Sequence, residues 1–213
     1  MHVVIFGATG YVGRAILKAT LAQNHDVTIL VRNRESVLLE HENLTIVEGN
    51  VLSRKAVWAI LKKKDIVIQC LGVGGKGDGK PTNFVSYATE IIIEGMERNN
   101  ICKIIAMSNF GAGNSFTYQP WYFNKIILPY FMKWLKVIID DKNRMETIIM
   151  NSKVDWIILR SPKILDIPAI GYWKLSLEGK EMKSFITLGD LASLVVFLII
   201  DKTYSRQAPS ISN

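Results

Sequence analysis

His2-Val3-Val4-Ile5-Phe6-Gly7-Ala8-Thr9-Gly10-Tyr11-Val12-Gly13 is the stretch that decides the fold. Four consecutive apolar residues, Val3 to Phe6, read as a buried strand. Glycines then recur at every third position, and a helix-like pattern begins near Val12. This order suits a pyrophosphate. One glycine allows the tight turn, one lets the backbone approach the phosphates, and one lets the helix pack close to the strand. The free N–H groups and positive dipole end of the helix then face the anion. Thr9 adds a hydroxyl donor, and Tyr11 and Val12 sit at the helix start. A glycine triplet alone is weak evidence, but its place in the first strand–helix turn makes it specific for a dinucleotide.

Outward from this turn, apolar strands alternate with helices. Strand-like runs cover 2–6, 26–31, 44–48, 66–71, 103–108 and 156–160. Helix-like segments cover 12–23, 54–61, 83–99, 140–151 and 188–200. Strands that are apolar throughout need cover on both faces, which predicts a parallel sheet. The expected class is α/β, a Rossmann-type doubly wound parallel sheet in one domain over 1–213. Residues 111–139 break the alternation and read as an insertion or lid on the substrate side. Thr187 is a suitable N-cap for the last helix. The polar tail from Gln207 is expected to form an edge strand or to fray.

Composition narrows the class. Hydrophobic residues make up 49% and charged residues 21%, enough for a sizeable core. No apolar run is long enough to span a bilayer, and Met1-His2 leads straight into the first strand without a basic leader, so a cytoplasmic location is expected. The two cysteines, Cys70 and Cys102, lie in apolar runs without metal-ligand spacing and are expected as buried free thiols, with no metal site. The net charge is +7, yet the cations are dispersed. No arginine-rich arm or finger spacing points to nucleic acid. Asp140-Asp141 reads as a helix N-terminus rather than an acid/base pair.

The end of the second strand selects the cofactor. A carboxylate there would hold the ribose hydroxyls of NAD. This chain has Arg32 and Arg34, which suit the 2′-phosphate of NADP. NADP(H) is therefore expected, with NAD(H) as the alternative. A second glycine-rich loop, Gly74 to Lys80, imitates a phosphate-binding P-loop. It is followed by Pro81 where that motif needs Ser or Thr for magnesium, so nucleotide hydrolysis is not expected.

Seven stretches, in order along nearly the whole chain, carry a family resemblance. They are Ile5–Gly10, Val27–Arg32, Val47–Leu52, Lys103–Ser108, Asp141–Glu146, Val154–Pro162 and Ile186–Ala192. Together they resemble the atypical short-chain dehydrogenase/reductase superfamily, in the branch of flavin reductase (biliverdin-IXβ reductase)-like NAD(P)-binding proteins. The resemblance implies that Gly7, Thr9, Gly10, Tyr11, Val12, Gly13, Arg32 and Arg34 hold the phosphates. Asn50 and Val51 would contact adenine, with Asn50 replacing the usual Asp. Leu71 and Gly72 would border the ribose, and Pro162, Lys163 and Ile164 the carboxamide. Ser108 and Lys142 would be the catalytic pair, Ser108 at the nicotinamide and Lys142 anchoring ribose or supplying a proton. Ser108 otherwise reads as a strand-end serine, and Lys142 as a surface lysine paired with Glu146.

The superfamily's Tyr-x-x-x-Lys is missing: Tyr118, Tyr122 and Tyr130 have no lysine four residues on. This fits reductases that deliver hydride by proximity, with the proton taken from solvent. The expected function is an NADP(H)-dependent oxidoreductase passing hydride to a planar conjugated acceptor such as a flavin, quinone or tetrapyrrole. A non-catalytic NADP(H) sensor and a nucleotide-sugar epimerase or dehydratase are the alternatives. Partners would be a small planar substrate and no nucleic acid, with the chain a monomer or homodimer. The aromatic segment 121–139 is expected as pocket wall or packing. Its interleaved Lys125, Lys133 and Lys136 leave contact with an anionic membrane as a further alternative.

Overall fold

The first strand, β1 (His2–Phe6), feeds two cores at once. Val3 and Ile5 enter one, Val4 and Phe6 the other, and all four are fully buried. Such a strand is stable only inside a sheet covered on both faces. The computed structural model describes residues 1–74, 79–119 and 121–213. The P-loop-like stretch of 74–80 thus falls mostly outside the described residues.

The strands β2 (Asp26–Val31), β3 (Leu44–Glu48), β4 (Ile66–Gln69), β5 (Lys103–Asn109) and β6 (Asp155–Ser161) join β1 in parallel. Their order is β3-β2-β1-β4-β5-β6, the doubly wound arrangement in which the chain reverses direction beside β1. Helices α1 (Tyr11–Ala22) and α5 (Leu188–Ile200) cover one face. Helices α2 (Arg54–Ile60), α3 (Phe84–Arg98) and α4 (Lys133–Asn151) cover the other. Ser53 caps α2, and Thr187 caps α5 through the amide of Asp190. Two short strands, β7 (Lys163–Leu165) and β9 (Phe185–Thr187), pair separately from the main sheet.

Three sequence expectations need correction. The tail neither frays nor forms an edge. Strand β10 (Ser210–Ser212) lies between β6 and the antiparallel β8 (Lys174–Ser176), and Ser210, Ser212 and Asn213 are buried. Its serines are polar, but sheet pairing satisfies their backbone. The cysteines are less enclosed than expected, Cys70 half-buried and Cys102 exposed. Helix α4 starts at Lys133, not at 140, so Asp140 and Asp141 are not its N-terminal signal. Asp140 pairs with Lys136 at the surface. Asp141 is buried and caps a different helix: it accepts from the amides of Val85 (2.9 Å) and Ser86 (3.2 Å) and from the Ser86 hydroxyl (2.6 Å) at the start of α3.

The N-cap residue Asn83 gives α3 no side-chain cap and Thr82 accepts only the Phe84 amide (3.2 Å), so Asp141→Ala, which strips the Val85 and Ser86 amides of their acceptor, should lower stability by about 2 kcal/mol. Asp140→Ala should change it by less than about 0.5 kcal/mol. Urea unfolding of both variants tests the assignment, and equal effects would refute it.

Candidate functional site

The glycine turn is built on two close approaches. Gly7 takes a φ of +83°, and a Cβ there would stand 2.7 Å from the carbonyl oxygen of Cys70 just past β4. A Cβ on Gly13 would stand 2.1 Å from the Gly7 carbonyl oxygen. Helix α1 therefore begins pressed against the end of β1. Gly10 is its N-cap and offers no side chain, and no acid occupies the first turn. The leading amides of the helix remain available to an anion.

In front of that helix end lies a cleft of about 490 Å³ at the C-terminal edge of the parallel strands. It brings together Gly7, Thr9, Gly10, Arg32, Asn50, Val51, Leu71 and Gly72, eight residues that the sequence placed at a cofactor. Gly72 has nothing within 4 Å of where a Cβ would be, which leaves the wall open there. The uncapped helix and the open wall both fit a dinucleotide. A second groove of about 280 Å³ shares Thr9 with the cleft and carries Arg14, Lys18 and Ser36.

Other expected contacts are placed differently. Arg34 turns away: its guanidinium donates to the carbonyl of Ile46 (3.0 Å) on β3. Asn50 lines the cleft, and its side-chain oxygen also accepts the amide of Leu52 (2.9 Å) in a local turn. Val12, in the first turn of α1, packs against the core. Tyr11 is exposed, and burial and then Asp166 raise its phenol pKa. Pro162 follows β6, while Lys163 and Ile164 belong to β7, and none of the three lines the cleft.

Ser108 and Lys142 lie behind the cleft, not on its wall. Both are buried. The Lys142 ammonium donates to the carbonyls of Leu71 (3.0 Å) and Met107 (2.6 Å), tying the ends of β4 and β5 together. It is not the surface lysine of the alternative reading, and Glu146 is not its hydrogen-bond partner. Burial pulls its pKa from 10.5 down to about 8. Glu146 instead accepts from the Ser108 hydroxyl (2.6 Å) and pairs with Arg160 at 2.7 Å. Arg160 also donates to Asn114 and to the carbonyl of Ala208 (3.2 Å).

Sequence reasoning overlooked Glu146, Arg160 and Asn114. The signal was there: Arg160 continues the apolar register of β6, and Glu146 follows Asp141 and Lys142 by about one helical turn on the same face. A charge inside an apolar pattern announces a buried partner.

The fold and the cleft define a dinucleotide-binding protein of the doubly wound class. The chain belongs to the NAD(P)H-binding family, whose model matches residues 7–202. It is 37% identical over 99 residues to a phenylcoumaran benzylic ether reductase of Ginkgo biloba, a match covering 42% of this chain and 32% of that one. It is 36% identical over 69 residues to a photosystem II assembly factor of Synechocystis, covering 32% and 21%. The matches thus span a third or less of these relatives' length. In fold, it is similar to an anaerobilin reductase from Escherichia coli O157:H7, with a TM-score of 0.81 at 20% identity over 100% of this chain and 97% of that chain. An oxidoreductase from Lactococcus lactis superposes with a TM-score of 0.82 at 19% identity, over 100% and 91%.

The depressed Lys142 pKa has a consequence for stability. Above about pH 8 the folded state releases a proton that the unfolded lysine keeps until about 10.5. The unfolded chain binds more protons in that window, so this group makes stability rise with pH, by about 1 kcal/mol per unit. Urea titrations between about pH 8 and 9, below the range where the Cys70 thiol, pushed up to about 12 by burial, adds the opposite slope, should show the rise in the wild type and not in Lys142→Met. Parallel curves would contradict it.

Proposed function

We propose that this chain is an NADP(H)-dependent oxidoreductase that reduces a planar conjugated acceptor of the flavin, quinone or tetrapyrrole type. The observation that carries the cofactor choice is Arg32 on the cleft wall, with Arg14 and Lys18 in the groove that adjoins it at Thr9. A 2′-phosphate held there meets cations from two sides, and Arg32 follows β2 where a carboxylate would repel it.

The bound nicotinamide supplies hydride, and this chain's residues supply placement. The Gly7–Gly13 turn and the open end of α1 hold the pyrophosphate. Lys142 fixes the ends of β4 and β5, so that Leu71 and Gly72 keep the position they need beside the ribose. Ser108, held by Glu146, stands one residue before the end of β5, near the sheet edge where such folds place their reacting ligands. With no Tyr-x-x-x-Lys, the proton that completes reduction comes from solvent.

A second reading has its own support. Ser108 donates its only hydroxyl proton to Glu146, and Lys142 is committed to two carbonyls. Neither group offers a free donor to a substrate, as suits a protein that binds cofactor without turnover. One relative is a photosystem II assembly factor.

Steady-state oxidation of NADPH against a panel of flavins, quinones and linear tetrapyrroles decides between the two. Turnover with at least one class is expected. Tight NADPH binding without turnover supports the second reading. NADPH should bind at least ~10-fold more tightly than NADH, and Arg32→Ala should remove most of that preference. Equal affinities in the wild type would refute the cofactor choice.

A further inference from the structure

The segment between the glycine loop and α4 is folded inside out. Residues Phe123–Phe131 form a wide π-helix, closed by a hydrogen bond from the Met132 amide to the Ile127 carbonyl (3.0 Å). Its attachment to the body is small: Leu128 packs with Ala112 and Ile139, supported by Met132 and Leu135. The larger aromatics point the other way. Trp121 is 68% exposed, Tyr130 71% and Phe131 76%, with Tyr122 and Ile126 also exposed. Trp121 and Tyr122 pack edge-to-face on each other (ring centroids 6.3 Å apart). Core packing, one of the expectations for this segment, does not describe Trp121, Tyr122, Tyr130 or Phe131.

Leaving several large apolar side chains in water along one segment is unfavourable, and a contiguous patch of this kind marks an interaction surface. Charge indicates its partner. Residues 111–139 contain Lys125, Lys133 and Lys136 and no acid. Lys136 is paired with Asp140, while Lys125 and Lys133 are exposed and form no ion pair among the described residues. The whole chain carries +7.

We propose that the face formed by Trp121, Tyr122, Ile126, Tyr130 and Phe131, flanked by Lys125 and Lys133, docks the protein on an anionic lipid surface. The residue types fit that interface. Trp and Tyr rings sit at the boundary between acyl chains and headgroups, and lysine stems reach from the boundary to anionic headgroups. A second copy of the chain fits poorly. In a two-fold interface the patch faces itself, so the Lys125 and Lys133 of both copies would be brought into one interface to which the segment 111–139 contributes no acid. Contact is peripheral, because no helix among the described residues is long and apolar enough to cross a membrane. This inference does not depend on the reaction proposed above.

Co-sedimentation with vesicles tests it. The full chain should pellet with phosphatidylcholine vesicles containing about one-third phosphatidylglycerol, but not with phosphatidylcholine alone. Raising NaCl to about 0.5 M should release most of it. Tyr130→Ser/Phe131→Ser and Lys125→Glu/Lys133→Glu should each lower the bound fraction at least ~10-fold. Unchanged NADPH binding by both variants shows that they are folded. Absence from the anionic pellet, equal binding to neutral vesicles, or variants that bind like wild type would each overturn the proposal. So would a dimer in solution that Tyr130→Ser/Phe131→Ser abolishes, since that result gives the patch to self-association.

Discussion

One row of polar side chains on the inner face of α4 holds the C-terminal edge of the sheet. Asp141, Lys142 and Glu146 are all buried, and each binds a different neighbour. Asp141 caps α3, Lys142 ties β4 to β5, and Glu146 joins Ser108 on β5 to Arg160 on β6. Burying three charges is costly in isolation. The cost is offset because each charge meets several partners, and α4 thereby ties down four elements, α3, β4, β5 and β6. Such a network specifies geometry more than it adds stability, since a buried ion pair often does no better than apolar residues of the same shape.

That geometry reaches the cleft through Leu71. Its carbonyl accepts from Lys142, and its side chain stands on the cleft wall beside Gly72. From the other side, Gly7 is packed so tightly on the carbonyl of Cys70 that no side chain fits between them. The end of β4 is therefore held between α4 and the glycine turn. The cofactor cleft is a consequence of both contacts. One is encoded by missing side chains, the other by a buried amine.

The difference in encoding explains what could be read in the sequence. The glycine turn, the strand alternation and the N-cap at Thr187 are local patterns with one physical meaning each, and they gave the sheet and most of the cleft. Asp141 misled because an acid near a helix start ordinarily serves its own helix. Here it serves α3, more than fifty residues away in sequence, and no local pattern carries that information. Arg34 was assigned by position along the chain, but its guanidinium found a nearer partner at the Ile46 carbonyl. The tail read as peripheral because it is polar and short, whereas its burial depends on β6 and β8 arriving on both sides of it. Glu146 and Arg160 lie fourteen residues apart, and nothing local announces their pairing except that each interrupts an apolar register.

The same network accounts for the odd segment that follows β5. Gly113 has a φ of +55°, and a Cβ on it would fall 2.1 Å from the Arg160 guanidinium and 2.6 Å from the Glu146 carboxylate. Its amide donates to Asn143 (2.7 Å) on α4. The chain thus leaves the sheet pressed over the buried ion pair, a path open only to glycine at that position. It returns through Leu128 and Ile139 to the start of α4. Both ends of the segment are held by small contacts close to the body, and between them Leu128 is the large apolar side chain that turns inward, toward Ala112 and Ile139. Trp121, Tyr130 and Phe131 lie on the stretch between these two anchors and stay exposed.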